Sequence, residues 1–281
     1  AVKYNFTLET ATKNSIYNSR NSLKKISKER IRDEFSKILL ENNVDYGLYL
    51  MKELKLLEII IPEIKDLYDF NSLSLCHSKD VFTHTVTVVK NTKSDLVTRI
   101  AALFHDIGKP STHTYDKNGI SNYYGHEKNS AGIAHIALNR LKFSNVFIRE
   151  VESIIRNHMI IFTDPNQKEI KKFICAVGIE NLEKMYDLFQ ADIGANSNEK
   201  DYEAFKVLKK KIDLIIENNE NIQKKDVEIN GNDIMALKIP QRKIGKIKDE
   251  IYEKILDSKL NNNRLDIIDY IIKTQGITEE I

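Results

Sequence analysis

Apolar residues return every three or four positions along most of this chain, and the elements they predict are helices. Residues 4–42 give a helix, a short break and a second helix, with Ser27 as N-cap ahead of Ile31, Phe35, Ile38 and Leu39. Residues 44–61 add a helix pair built on Leu48, Met51, Leu54 and Leu56-Leu57, stopped by Pro62. After a loop at 71–80 a helix starts with Val81, His84 and Val88 on one face. The next uses Leu96, Ile100, Leu103, Phe104 and Ile107, with Gly108 and Pro110 as its closing residues. Alternation replaces the helical period once: Thr112–Tyr115 and Ser121–Tyr124 flank Asn118-Gly119, which predicts a β-hairpin.

Helices then resume. One uses Ile133, Ile136, Ala137 and Leu141, and one over 145–159 aims Val151, Ile154, Ile155 and His158 the same way. Another aligns Leu182, Met185, Phe189 and Asp192, and a charge-rich one carries Phe205, Leu208, Ile212, Ile215 and Ile216. A polar linker at Glu217–Lys225 precedes a last helical unit opening at Gly231-Asn232-Asp233-Ile234-Met235. The fold class is therefore all-α with one small hairpin, and no internal repeat is visible.

Composition agrees. The 281 residues are 41% hydrophobic and 30% charged, with only 10 Gly and 4 Pro to supply turns. A net charge of +2 announces no bulk affinity for nucleic acid, so any basic surface is local. Two clusters qualify: Lys24, Lys25, Lys28, Arg30 and Arg32, and Lys238, Arg242, Lys243, Lys246 and Lys248. Each reads as a solvated face or as a phosphate-contacting surface. Cys76 and Cys175 have no ligand spacing and read as thiols of a reducing compartment. No segment reaches the roughly 20 apolar residues of a membrane span, and the N-terminus has no signal-peptide core, so cytoplasm is the expectation.

Chemistry enters with the polar residues that interrupt apolar faces. His84, His158 and Asp192 lie on such faces, His105-Asp106 stands at a helix end, and His126 opens a helix. A single inward histidine is usually a satisfied core residue, but a buried carboxylate needs a partner or an ion. Four inward histidines with two aspartates point to a metal site of Fe, Mn, Ni, Co, Zn or Mg. Six positions exceed one tetrahedral shell, so one or two divalent ions fit, with Asp106 as the bridge. Lys109, three residues past that aspartate, balances phosphate charge. His113 and His135 read as non-ligands.

The series His84, His105-Asp106, His126, His158 and Asp192 resembles the HD superfamily of metal-dependent phosphohydrolases. Further segments are similar to the C-terminal portion of bacterial tRNA nucleotidyltransferases and poly(A) polymerase-like proteins. They are His77-x-x-Asp80-Val81-Phe82-x-His84-Thr85, Phe104 to Pro110, Tyr124-Gly125-His126-Glu127, Asn157-His158-Met159 and Asn230 to Met235. The resemblance implies a helical body segment over 1–43 that is a candidate RNA-binding element, an HD metal domain over 44–200 and a helical tail over 201–281 that is a candidate tRNA-binding element. It implies His84, His105, Asp106 and Asp192 as ligands of a first metal. His126 and His158 complete a second site or contact phosphate, and Asp106, Lys109, His126 and His158 carry catalysis.

The sequence departs from the family in two places. It has no Gly-Ser dipeptide and no Asp-x-Asp, which nucleotide addition requires of the catalytic head. Leu237-Lys238-Ile239-Pro240-Gln241 lacks the glycines of the family's turn. The expected function is hydrolysis of a phosphomonoester or 2′,3′-cyclic phosphodiester on a nucleotide or RNA end. The alternatives are an RNA- or tRNA-binding module with the HD core as scaffold, and a nucleotide-sensing domain.

Overall fold

The computed structural model describes residues 1–68, 70, 80–196, 199–218, 224–257 and 259–276. Its α-helices are α1 (Thr10–Ser19), α2 (Lys28–Leu40), α3 (Val44–Glu53), α4 (Leu57–Ile60), α5 (Val81–Asn91), α6 (Leu96–Phe104), α7 (Lys109–Thr112) and α8 (His126–Arg140). They continue as α9 (Asn145–Asn157), α10 (Gln167–Val177), α11 (Leu182–Asn196), α12 (Glu199–Glu217), α13 (Gly231–Ala236), α14 (Gln241–Leu256) and α15 (Arg264–Gln275). Among the described residues, the strands are β1 (Thr114–Tyr115) and β2 (Ser121–Asn122). The helical class and the single hairpin are as expected. Cys76 and His77, and most of the loop assigned to 71–80, lie outside the described residues.

The chain divides into two compact units, Ala1–Asp164 with Val177–Lys206, and Pro165–Ala176 with Val207–Ile281. In the first unit α6 is the axis. Every residue from Val97 to Phe104 is buried, as in a helix surrounded on all sides by protein. Helices α5, α9 and α11 pack against it, and α8 packs along α9. Phe82, Ile100, Leu103, Phe104, Leu138 and Phe189 fill the space between them. The one cation of α6, Arg99, donates to the carbonyls of Leu39 and Glu41, which the end of α2 leaves without helical partners. Side chains set the helix starts. Ser27, Asp80, Asp95 and Ser144 each accept from the backbone N–H three residues on.

Three details differ from the sequence pattern. Pro62 opens a 3₁₀ turn at Pro62–Leu67 as well as ending α4, because proline suits a first helical position. Ile136 is 61% exposed. Helix α8 buries Ser130, Ala131, Ala134, Ala137 and Leu138, a face of small residues that lets its backbone approach its neighbours. The hairpin ladder is short, pairing Thr114 with Asn122 and Tyr115 with Ser121. Its loop keeps Gly119 at φ 77°, the left-handed position of a three-residue connection.

The second unit has a core of isoleucine: Ile229, Ile234, Ile239, Ile247, Ile251, Ile255, Ile267 and Ile271. Asn230 starts α13 with a capping box, its side chain accepting from Asn232 and Asp233 N–H while Asp233 accepts from Asn230 N–H. Lys238, where the sequence lacks a glycine, takes φ 58° between α13 and α14. The turn therefore keeps a left-handed residue, at a cost of about 1 kcal/mol for a side chain other than glycine.

Candidate metal centre

Helix α6 ends inside the protein and carries its last residues into the centre of the first unit. His105 and Asp106 follow directly and are each 1% exposed. The C-terminal end of a helix favours positive charge, and the residues gathered around it are ones that hold a cation. His84 comes from the first turn of α5, His126 from the first position of α8, His158 from the 3₁₀ turn after α9, and Asp192 from α11. All six residues expected as ligands thus come together, each 9% exposed or less.

Asp106 lies between them with one oxygen on each side. Its Oδ2 is 3.2 Å from His105 Nε2 and 3.6 Å from His84 Nε2. Its Oδ1 is 3.3 Å from His126 Nε2 and 4.0 Å from His158 Nε2. Two triads that could each hold an ion result, His84-His105-Asp106 and Asp106-His126-His158, with ligand atoms within 4.8 Å of one another. Asp192 flanks the first, its Oδ1 3.1 Å from His84 Nε2 and 3.9 Å from His105 Nε2. Lys109 reaches back from the first residue of α7 to place Nζ 2.6 Å from Asp106 Oδ2.

The backbone decides what the imidazoles can do. His105 Nδ1 lies 2.7 Å from the carbonyl of Ala102, His126 Nδ1 2.8 Å from that of Tyr123, and His158 Nδ1 2.7 Å from that of Ile155. A carbonyl oxygen only accepts, so Nδ1 carries the proton in each ring, and in the neutral ring Nε2 presents a lone pair. This is the arrangement by which proteins orient metal-binding histidines. His126 Nε2 and His158 Nε2 are 3.2 Å apart, two acceptors facing one another beside a carboxylate. His105 Nε2 is buried without an aligned hydrogen-bond partner among the described residues. Nitrogen and carboxylate donors turned inward in this way fit a divalent ion of borderline or hard character.

Ionisation follows the same geometry. Burial pushes His158 down to about 3, and the neighbouring His105 and His126 push the same way. Burial also opposes charge on Asp106 and Asp192. For Asp106, His105 and Lys109 outweigh it and hold the carboxyl well below its usual range. For Asp192, His84 and His105 do so and bring it to about 2. His105 is raised because Asp106 beside it outweighs its own burial. Both carboxylates are therefore ionised and His158 is neutral at neutral pH, the forms that bind a metal.

Gly108 and Ser130 fix the turn behind Asp106. Gly108 has φ −83°, so left-handed freedom is not its reason. Its N–H donates to Ser130 Oγ at 2.9 Å, and a Cβ there would lie 2.7 Å from Ser130 N and 2.8 Å from His126 O. Helix α8 passes too close for any side chain. Pro110 does not close α6 either; it sits within the first turn of α7. Neither Ser130 nor the three carbonyls carried a sequence signal. Of the two remaining described histidines, His113 packs on the hairpin with its Nε2 2.9 Å from Ser121 Oγ, and His135 is at the surface 3.2 Å from Glu152.

Three family models match the chain: "Probable RNA and SrmB- binding site of polymerase A" over residues 5–68, "HD domain" over 75–178, and "tRNA nucleotidyltransferase domain 2 putative" over 129–271. The CC-adding tRNA nucleotidyltransferase of Thermus thermophilus is 31% identical over 139 residues, 47% of this chain and 32% of the relative. The A-adding tRNA nucleotidyltransferase of Deinococcus radiodurans is 28% identical over 166 residues, 55% and 38% respectively. The multifunctional CCA protein of Mannheimia succiniciproducens is 31% identical over 153 residues, 50% and 35%. The matched region spans about a third of the length of these curated relatives. No helix among the described residues is long and apolar enough to cross a membrane. The HD match contains five of the six clustered residues, all but Asp192. The third model covers just over half of the chain, so this chain belongs to the tRNA nucleotidyltransferase domain 2 family.

Proposed function

We propose that the chain is a metal-dependent phosphohydrolase acting on a phosphomonoester or 2′,3′-cyclic phosphodiester of a nucleotide or RNA end. The observation that carries this reading is the convergence of four histidine Nε2 atoms on the two oxygens of one buried aspartate. A scaffold has no use for buried acceptors facing acceptors, whereas a cation among them offsets the cost of their burial. His84, His105, Asp106 and Asp192 would hold one divalent ion (Mn, Ni, Co, Fe, Mg or Zn). His126 and His158, with Asp106, would hold a second or meet the substrate phosphate. When bound, the ion supplies Lewis-acid polarisation of a phosphoryl oxygen and a water that ionises near neutral pH. Asp106 and its Nδ1-anchored histidines keep the donor set rigid, so little reorganisation accompanies the reaction. Lys109 Nζ, beside Asp106 Oδ2, provides positive charge for phosphate and a proton donor for the leaving oxygen.

The test is hydrolysis of 2′,3′-cyclic and 2′-phosphate nucleotides with each metal supplied, wild type against Asp106→Ala. Metal-dependent turnover that disappears in the variant is the expected result. No turnover with any of these metals would sink the enzyme reading.

A second reading, an RNA- or tRNA-binding module, is favoured by the match of residues 5–68 to an RNA-binding model and by two exposed basic groups. Lys24, Lys25 and Arg30 are exposed in the body segment (1–43), and Lys238, Arg242, Lys243 and Lys246 in the tail (201–281). In this reading the flanking segments hold tRNA and the HD domain (44–200) serves as scaffold. Several phosphate contacts would make tRNA affinity fall steeply with salt, and a flat salt dependence would remove this part.

A further inference from the structure

The hairpin beside the metal centre carries an aromatic face that the ligand geometry does not explain. Period-two alternation puts His113, Tyr115, Ser121 and Tyr123 on one side of the ribbon, since Tyr115 pairs directly with Ser121. The rings form a continuous series. Tyr115 meets His113 edge-on at 4.5 Å between centroids, and His113 stacks on Tyr123 at 5.3 Å with planes 23° apart. At the inner end the Tyr123 ring lies 5.6 Å from Lys109 Nζ, and the Tyr123 carbonyl holds His126 Nδ1. At the outer end Tyr115 is 61% exposed. A large exposed ring thus stands at one end of a ring series whose other end touches the residues around Asp106. Folding explains the inner rings, but Tyr115 meets only the edge of His113 among the ring contacts of the described residues and keeps most of its surface open to solvent.

We propose that this face is a nucleobase platform, with Tyr115 as its main stacking residue, and that it holds a base of a single-stranded RNA end whose terminal phosphate lies at Lys109. The inference rests on the phosphohydrolase reading and adds the substrate class, RNA ends in preference to free phosphate esters. An aromatic ring exposed on a short ribbon suits an unpaired base, because every base has a face to stack and no sequence readout is needed. Three ring contacts of 4.5–5.6 Å separate Tyr115 from Lys109. That spacing favours a base one or more residues before the terminal phosphate, hence an oligonucleotide over a mononucleotide.

The chain contains no tryptophan, which allows a direct readout. Tyr115→Trp introduces a single indole at the platform that retains an aromatic face. Val146→Trp is the control, at an exposed position at the far end of α9, about 18 Å along its axis from His158. Each full-length variant is titrated with a tetraribonucleotide bearing a 2′,3′-cyclic phosphate, and with ribose 5-phosphate as the probe lacking a base. Expected are saturable quenching of the Tyr115→Trp emission by the oligonucleotide alone, and none in the control. Separately, Tyr115→Ala should weaken oligonucleotide binding about ten-fold while Tyr115→Phe preserves it. Equal quenching in both indole variants, or unchanged affinity in Tyr115→Ala, would overturn the platform. Binding is read without turnover, so a protein that stacks RNA but hydrolyses nothing would refute the enzyme reading and keep this one. Turnover of the oligonucleotide with a KM insensitive to Tyr115→Ala would do the reverse.

Discussion

Gly108→Ala tests whether the turn behind Asp106 is set by backbone contact. The added methyl would lie 2.7 Å from Ser130 N, 2.8 Å from His126 O and 2.9 Å from Ser130 Oγ. Carbon normally approaches such atoms no closer than about 3.5 Å, so overlaps of well over half an ångström must be relieved. Two of the three obstacles are backbone atoms of the first turns of α8, and a rotamer change cannot clear them. The methyl would also push Gly108 N–H away from Ser130 Oγ, the partner it donates to in a buried position. Overpacking of this kind costs about 1–3 kcal/mol, and a strained buried hydrogen bond adds to it, so about 3 kcal/mol is expected. For a unit of this size that lowers the melting temperature by about 6–12 °C. Because α8 begins with His126, relief of the clash also separates His126 from Asp106. Metal affinity should therefore fall by at least about ten-fold, as for other changes that disturb ligand orientation. Calorimetry of wild type and variant, each with and without metal, reads both effects. A melting temperature within 1–2 °C of wild type and unchanged metal affinity would refute the packing argument.

Two further predictions concern other parts of the chain. In the metal-free protein His158 stays neutral down to about 3, while in the unfolded chain it protonates near 6.5, so between these values the unfolded state binds more protons. Stability should then fall as pH drops from 6.5 towards 3, by up to about 1.4 kcal/mol per pH unit. His105, whose pKa is raised, contributes stability that is lost only above 6.5 and does not offset this window. Urea midpoints at pH 7 and 5 should differ in wild type and converge in His158→Gln, and parallel behaviour of the two proteins would contradict the assignment. In the second unit Asn230→Ala removes the side chain that accepts from Asn232 and Asp233 N–H. A loss of about 1–2 kcal/mol should cut hydrogen-exchange protection across α13 by about 5- to 30-fold, and unchanged protection would mean that the isoleucine core alone holds the helix.

The parts of this site that were legible in the sequence were polar residues on apolar stripes. Asp192 follows Phe189 by three positions and Met185 by seven, and His158 continues the face of Val151, Ile154 and Ile155, so helical geometry alone aimed them inward. What escaped was whatever side-chain pattern does not encode. The carbonyls of Ala102, Tyr123 and Ile155 set the histidine tautomers, and a backbone acceptor leaves no mark on a residue string. Gly108 read as a helix stop because glycine often is one, whereas its reason here is the proximity of α8, a tertiary fact. Ile136 reads as a core position because a large apolar residue dominates a periodicity, although α8 packs through alanines that weigh little in the pattern. Arg99 interrupts the stripe of α6 and would be taken for solvent-exposed, yet it serves the end of α2 from within the core. The hairpin was legible through Asn118-Gly119, but its aromatic series depends on strand register and emerges only once Tyr115 is seen opposite Ser121.

The most direct test of the central claim is a titration of metal-stripped protein with Mn, Fe, Co, Ni, Zn and Mg by calorimetry at neutral pH, beside Asp106→Asn. The account predicts saturable binding of one or two ions per chain for at least one metal, and a loss of about 100-fold or more in affinity when the shared carboxylate is replaced. No saturable binding by any of these metals, or equal affinity in Asp106→Asn, would contradict it.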